Sequence, residues 1–61
     1  MNPANLIKGK TYHYTVVGRE PVEVEYRYPT LNCWWFDYTD RPEFTLLHYH
    51  QVLRNITEIA Q

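Results

Sequence analysis

The sequence has few of the residues that small proteins use for covalent or metal-based stabilisation. A single cysteine, Cys33, excludes an internal disulfide. The histidines His13, His48 and His50 do not form a known metal motif such as His-Glu-x-x-His. We therefore expect no metal site and no cofactor, so that stability must come from side-chain packing.

Long hydrophobic runs are also missing. Nowhere do apolar residues continue for the roughly 18 positions that a membrane span needs, and residues 1–10 lack the apolar stretch of a signal peptide. The net charge is only −1, so the broad basic field of a duplex-binding protein is absent. We expect a cytoplasmic protein that does not associate with membranes.

Aromatic residues, by contrast, are abundant and make up 16% of the 61 residues. Large rings bury much area for little side-chain entropy, which suits the thin core of so short a chain. We expect a single domain over residues 1–61. It divides into an N-terminal arm (1–9), a meander of strands (10–47) and a closing segment (48–61).

Two segments alternate between apolar and polar residues, as half-buried strands do. Strand one is predicted over residues 11–17 and strand two over residues 22–28, with turn-forming residues between them. A three-residue loop, 18–20, places Tyr12 opposite Tyr26 on the core face. The charged residues of strand two then face outward.

Strands three and four are predicted over residues 33–38 and 43–47, which are rich in aromatic and aliphatic residues. In strand three, Phe36 and the residues two positions away on either side share one face, which has the larger apolar area. That face is therefore predicted to point inward, and Trp35 outward. In strand four, Phe44 and Leu46 form the predicted inward pair. The predicted core consists of Tyr12, Tyr14, Val24, Tyr26, Trp34, Phe36, Leu46, Val52, Leu53 and Ile56.

The closing segment fits two structures. Its apolar residues are spaced like one face of a helix, although residues 56–59 also suit a final strand. Either structure must cover the sheet, because four strands alone leave one face and two edges unprotected. The predicted fold class is therefore mainly β. It is a small antiparallel barrel or a four-stranded meander, closed by a C-terminal helical turn or a fifth strand.

This arrangement of short strands and tight turns resembles the SH3-like small β-barrels. The segments Lys-Gly-Lys-Thr-Tyr-His-Tyr (8–14), Pro-Val-Glu-Val-Glu-Tyr (21–26) and Asn-Cys-Trp-Trp-Phe (32–36) are similar to those of short bacterial proteins of that shape. The resemblance implies a fold and carries no activity, because a fold does not determine a function.

Trp35 is the main candidate for a binding residue. An outward tryptophan beside Arg27 has the chemistry to stack on a peptide side chain or an unpaired base. Glu25 and His13 lie on the same predicted surface and complete the candidate set. The competing interpretation is structural: Trp35 is covered inside a barrel or packs on Arg27. The sequence supports the binding role and the structural role equally.

The leading functional hypothesis is a non-enzymatic module that binds a protein or peptide on the outward face of strands two and three. Cys33 and a histidine have the chemistry of a nucleophile and its base, but no catalytic motif brings them together. A nucleic-acid-binding small barrel and a structural accessory subunit are the alternatives. The molecule is expected to be a monomer or a weak dimer.

Overall fold

The computed structural model describes residues 1–60, which form one antiparallel sheet and a short helix. The chain begins with a 3₁₀ turn over Pro3–Asn5. The elements that follow are β1 (Thr11–Tyr14), β2 (Val22–Pro29), β3 (Trp34–Tyr38), β4 (Phe44–Leu47), α1 (Tyr49–Asn55) and β5 (Ile56–Glu58). The predicted mainly β class is confirmed, and the closing segment supplies both a helix and a strand.

The strands lie in the order β4-β3-β2-β1-β5. Sheet neighbours are also sequence neighbours except at β5, which returns to pair with β1, so that Tyr14 lies opposite Ile56. Because β4 and β5 form the two edges, the sheet is open. The meander is therefore the correct alternative, and the closed barrel is not formed. Over residues 1–60, no helix has the length and apolar character needed to cross a membrane.

One face of the sheet, covered by α1, holds the core. The buried hydrophobic residues are Tyr12, Val24, Tyr26, Phe36, Leu47, Val52 and Ile56. Six of these belong to the predicted core. Regular strand alternation identified Tyr12, Val24, Tyr26 and Phe36, and the helical spacing of the closing segment identified Val52 and Ile56. Tyr14 and Trp34 are half-buried against this cluster. The predictions for Leu46 and Leu53 are wrong, since both side chains are more than 40% exposed.

The predicted pairing of the first two strands is wrong by two residues. Tyr12 lies opposite Val24 rather than Tyr26, and Tyr14 lies opposite Val22. A shift of two residues keeps every side chain on its predicted face, which is why the core residues were identified in spite of it. In the structure β1 ends at Tyr14 and β2 begins at Val22, so residues 15–21 form the connection in place of the predicted three-residue loop.

The fourth strand faces the opposite way from the prediction. Trp34 lies opposite Leu47 and Trp35 opposite Leu46, so the β3–β4 register directs Leu47 inward and Leu46 outward. Phe44, two residues before Leu46, also faces outward. Large apolar side chains therefore lie on the face of the sheet that α1 does not cover.

Candidate binding face

Four apolar side chains form a continuous patch on the outward face of β2, β3 and β4. This apolar patch consists of Tyr28, Trp35, Phe44 and Leu46. Trp35 is at its centre: its ring stacks on that of Phe44 with centroids 4.2 Å apart and an interplanar angle of 16°, and Tyr28 lies 5.4 Å away on the other side. Tyr28 is 44% exposed, Phe44 52% and Leu46 43%. Such a cluster exposed on a small domain marks an interaction surface more often than scattered apolar residues do.

A β-bulge in β2 brings Tyr28 into this patch. The register between β2 and β3 shifts between Tyr26 and Tyr28, so Tyr26 lies opposite inward Phe36 while Tyr28 lies opposite outward Trp35. Without the bulge, Tyr28 would follow the strict alternation that places it with Val24 and Tyr26 in the core. One extra residue in a strand thus redirects an aromatic ring from one face to the other.

Three charged residues, Glu25, Arg27 and Asp37, lie beside the patch and form a charged strip. Asp37 accepts a hydrogen bond from the indole Nε1 of Trp35 at 2.7 Å. Its other carboxylate oxygen lies 3.5 Å from Nε of Arg27, whose Nη1 donates to Glu25 at 3.2 Å. The strip therefore holds the central ring of the patch in one orientation, which lowers the entropy lost when a ligand packs against it.

The predicted binding residues are only partly brought together. Trp35, Arg27 and Glu25 share the outward face of β2 and β3, as predicted. His13 lies on β1, two strands from Trp35, opposite Glu23 of β2 and Thr57 of β5. Nothing in this geometry connects His13 to the apolar patch.

Tyr28, Phe44 and Leu46 were missed as members of this surface, and Asp37, predicted to face outward with Trp35, was left out of the candidate set. The first three were predicted to face inward, because each lies two positions from another apolar residue, and alternation alone cannot reveal a bulge or the facing of a four-residue strand. Asp37 carried a usable signal. In a strand it lies two positions after Trp35, on the same face, at a distance suited to a hydrogen bond with the indole.

The outward face also has an excess of negative charge. Glu23, Glu25 and Asp37 project from the outward face, where the described residues of β1, β2 and β3 include Arg27 as the one permanent cation, and β1 adds His13. Three carboxylates against one guanidinium favour a ligand with cationic groups and disfavour a phosphate backbone.

A second arrangement is the contact between Cys33 and His48. The Cys33 Sγ lies 3.5 Å from His48 Nδ1. The sequence pattern did not predict this contact. A turn positions the cysteine, since its backbone N–H donates to Thr30 Oγ1 and its carbonyl accepts from the Thr30 N–H. His48 precedes α1, and its backbone N–H donates to Gln51 Oε1.

The thiol–imidazole pair lies outside two surface pockets of the described residues. One pocket of about 310 Å³ lies between α1 and the loop after β1, lined by residues that include Val17 and Arg54. A smaller one of about 100 Å³ includes Tyr14 and Arg41. Neither pocket is lined by Cys33 or His48. In residues 1–60, no three His, Cys, Asp or Glu side chains are grouped as a metal site requires.

Shifted pKa values lie away from the patch. Hydrogen bonds from Arg41 lower the pKa of Asp40, and the hydrogen bond to Glu58 raises the pKa of Lys10. Burial raises the pKa of Tyr14 and Tyr26 on the inward side of the sheet. These shifts follow from exposed ion pairs and from core packing, so they do not point to an acid–base site.

Comparisons with family models, with curated proteins and with solved structures gave no match to this chain. The similarity to SH3-like bacterial proteins therefore stays a prediction.

Proposed function

We propose that this chain is a non-enzymatic binding module that docks a protein or peptide segment on the apolar patch. The observation that carries the proposal is the half-buried Trp35 ring, which packs between Phe44 and Tyr28 at the centre of the patch and is held by Asp37. Tryptophan and tyrosine contribute strongly to binding energy when their surroundings keep them ordered and water is excluded. The proposed compartment is the cytoplasm.

The charges around the patch narrow the chemistry of the partner. Glu25 and Asp37 border Trp35, and Glu23 adds a further carboxylate on the same face. A segment that places an aromatic or aliphatic side chain on the patch and a lysine or arginine beside it satisfies both features. A nucleic acid satisfies only the first, because its phosphates meet the carboxylates.

Selection from a displayed library of random peptides, with the immobilised wild-type protein as bait, tests this proposal. Enriched peptides are expected to combine an aromatic or aliphatic residue with a neighbouring lysine or arginine. The strongest one, made synthetically, is then titrated against the wild-type protein by calorimetry. Trp35→Ala should weaken binding at least about tenfold, as loss of a central aromatic does.

Two matched variants sharpen the result. Leu31→Ala removes a side chain that is 96% exposed in the turn before β3, outside the patch, and should leave binding unchanged. Asp37→Asn keeps an oxygen that can accept from the Trp35 indole but removes the negative charge, so it should weaken binding of a cationic peptide selectively. Failure to enrich any peptide, or equal binding by the Trp35→Ala variant, contradicts the proposal.

The nucleic-acid alternative has its own measurement. A single-stranded oligonucleotide that bound with a steep dependence on salt concentration would replace the proposed partner, since counterion release produces that dependence. Binding of the selected peptide should change much less with salt, because most of its affinity comes from the apolar contact.

A further inference from the structure

The β4 strand is an open edge of the sheet. Its residues Glu43, Thr45 and Leu47 form hydrogen-bonded pairs with β3, as shown by the Tyr38 N–H, which donates to the Glu43 carbonyl at 3.0 Å. In an antiparallel pair, successive residues direct their peptide groups to alternate sides. The N–H and C=O groups of Phe44 and Leu46 therefore point to the free edge.

This edge has little protection against pairing with another strand. Natural edge strands are commonly protected by lysine, by an inward charge, by proline or by a bulge. The four residues of β4, Phe-Thr-Leu-Leu, include none of these, and Pro42 lies outside the strand. The two residues with free peptide groups are also the ones with exposed apolar side chains.

From these observations we propose that two copies of this chain associate by antiparallel pairing of their β4 edges about a two-fold axis at Thr45. In this register Phe44 of each copy lies opposite Leu46 of the other. Each such pair can exchange two hydrogen bonds, so the peptide groups of Phe44 and Leu46 in both copies are all used. The inference goes beyond the proposed function and does not depend on it.

Neighbouring registers are less favourable. Moving the axis to Phe44 places Pro42, which has no N–H, opposite Leu46 of the second copy. Moving it to Leu46 pairs Phe44 with His48, where the strand has already ended. Only the Thr45-centred register pairs the N–H groups of Phe44 and Leu46 in both copies within the two β4 strands.

Side chains and charges are also compatible with a second copy. The pairing places Phe44 beside the other copy's Leu46 on the outward face, which joins two apolar patches into one surface. Glu43 lies opposite Leu47 of the second copy and one position from its His48, so no two like charges oppose each other. The contact is short, and the association is therefore expected to be weak.

Sedimentation equilibrium of the intact chain tests the proposal directly. Between about 10 µM and about 1 mM the weight-average mass should rise from 7.4 kDa toward twice that value, by mass action. Leu46→Lys, which adds charge at the pairing edge, should remain monomeric over this range. Leu31→Lys, an equally drastic change at an exposed leucine in a turn, should behave as the wild type.

Amide exchange measured by NMR at both concentrations identifies the edge involved. The N–H groups of Phe44 and Leu46 should become protected as the concentration rises, whereas that of Thr45, already paired with β3, should not change. A mass that stays at 7.4 kDa, a Leu46→Lys variant that still dimerises, or a dimer without protection of these two groups overturns the proposal. None of these results bears on peptide binding at Trp35.

Discussion

The two faces of this sheet use the same kinds of residues for different purposes. Phe36, Trp34 and Leu47 face inward, and each has a counterpart of the same type, Phe44, Trp35 and Leu46, that faces outward. Inward side chains pack against one another and against α1, while the outward ones belong to the apolar patch beside the charged strip. Composition therefore does not separate the core from the exposed apolar patch in this protein, and position in the register does.

Replacement by alanine should give the largest difference in lost stability between the two phenylalanines. Phe36 is fully buried, so Phe36→Ala should cost about 3–5 kcal/mol through lost burial and a residual cavity. This is most of the stability that a chain of this size possesses, and the variant should be largely unfolded. Phe44→Ala should cost only about 0.5–1.5 kcal/mol, for the lost stacking on Trp35.

Urea denaturation provides this measurement. A protein concentration of about 5 µM keeps the proposed association of two copies from adding to the stability. Equal losses in the two variants would show that the two faces are not distinguished by burial.

The adjacent leucines of β4 test the same comparison within one strand. Leu47 is 1% exposed and Leu46 43% exposed. Leu47→Ala should therefore cost about 2–5 kcal/mol, and Leu46→Ala less than about 1 kcal/mol. Denaturation midpoints of the two variants suffice, and the reverse order would show that β4 faces the other way.

The tryptophans should differ less, because both are half-buried. Trp34 packs against the core and lies 6.4 Å from the Tyr49 ring, so Trp34→Ala should cost about 2–4 kcal/mol, below the range for full burial. Trp35→Ala should cost about 1–2 kcal/mol for its stacking and its hydrogen bond to Asp37.

The unfolding free energies of both tryptophan variants decide the order. A greater loss in the Trp35 variant would make that ring a core element and remove the main argument for a binding face.

Alkaline pH should lower the free energy of unfolding by a smaller amount than these substitutions, through tyrosines on the inward face of the sheet. Burial raises the pKa of Tyr14 and Tyr26 above the ordinary 10.0. The folded state thus holds these phenol protons more tightly than the unfolded chain does. Their contribution to stability is complete below pH 10 and is lost as the pH rises through the raised folded values.

Denaturation at a series of pH values above 9 measures this effect. Tyr26→Phe, which has no phenol to titrate, should show a shallower fall in stability than the wild type. An identical pH dependence would mean that Tyr26 contributes nothing to it.

Local pattern was sufficient where a strand is regular. The alternation around Tyr12, Val24 and Phe36 identified their inward faces, since side chains in a strand alternate whatever the strand pairs with. It also placed Trp35, Arg27 and Glu25 on one outward face. The same rule failed for Leu46 and Tyr28, where the facing depends on a register and a bulge that pairing with β3 decides.

The sequence by itself determined that the chain is mainly β, that aromatic rings contribute to its core and that Trp35 faces away from Phe36. These properties follow from a period of two residues and from the area that large rings bury. Tertiary structure alone decided the pairing of β5 with β1, the shifted β1–β2 register and the outward direction of the Phe44 and Leu46 side chains. Each of these depends on hydrogen bonds between separate strands, for which short segments offer several alternatives of similar local quality.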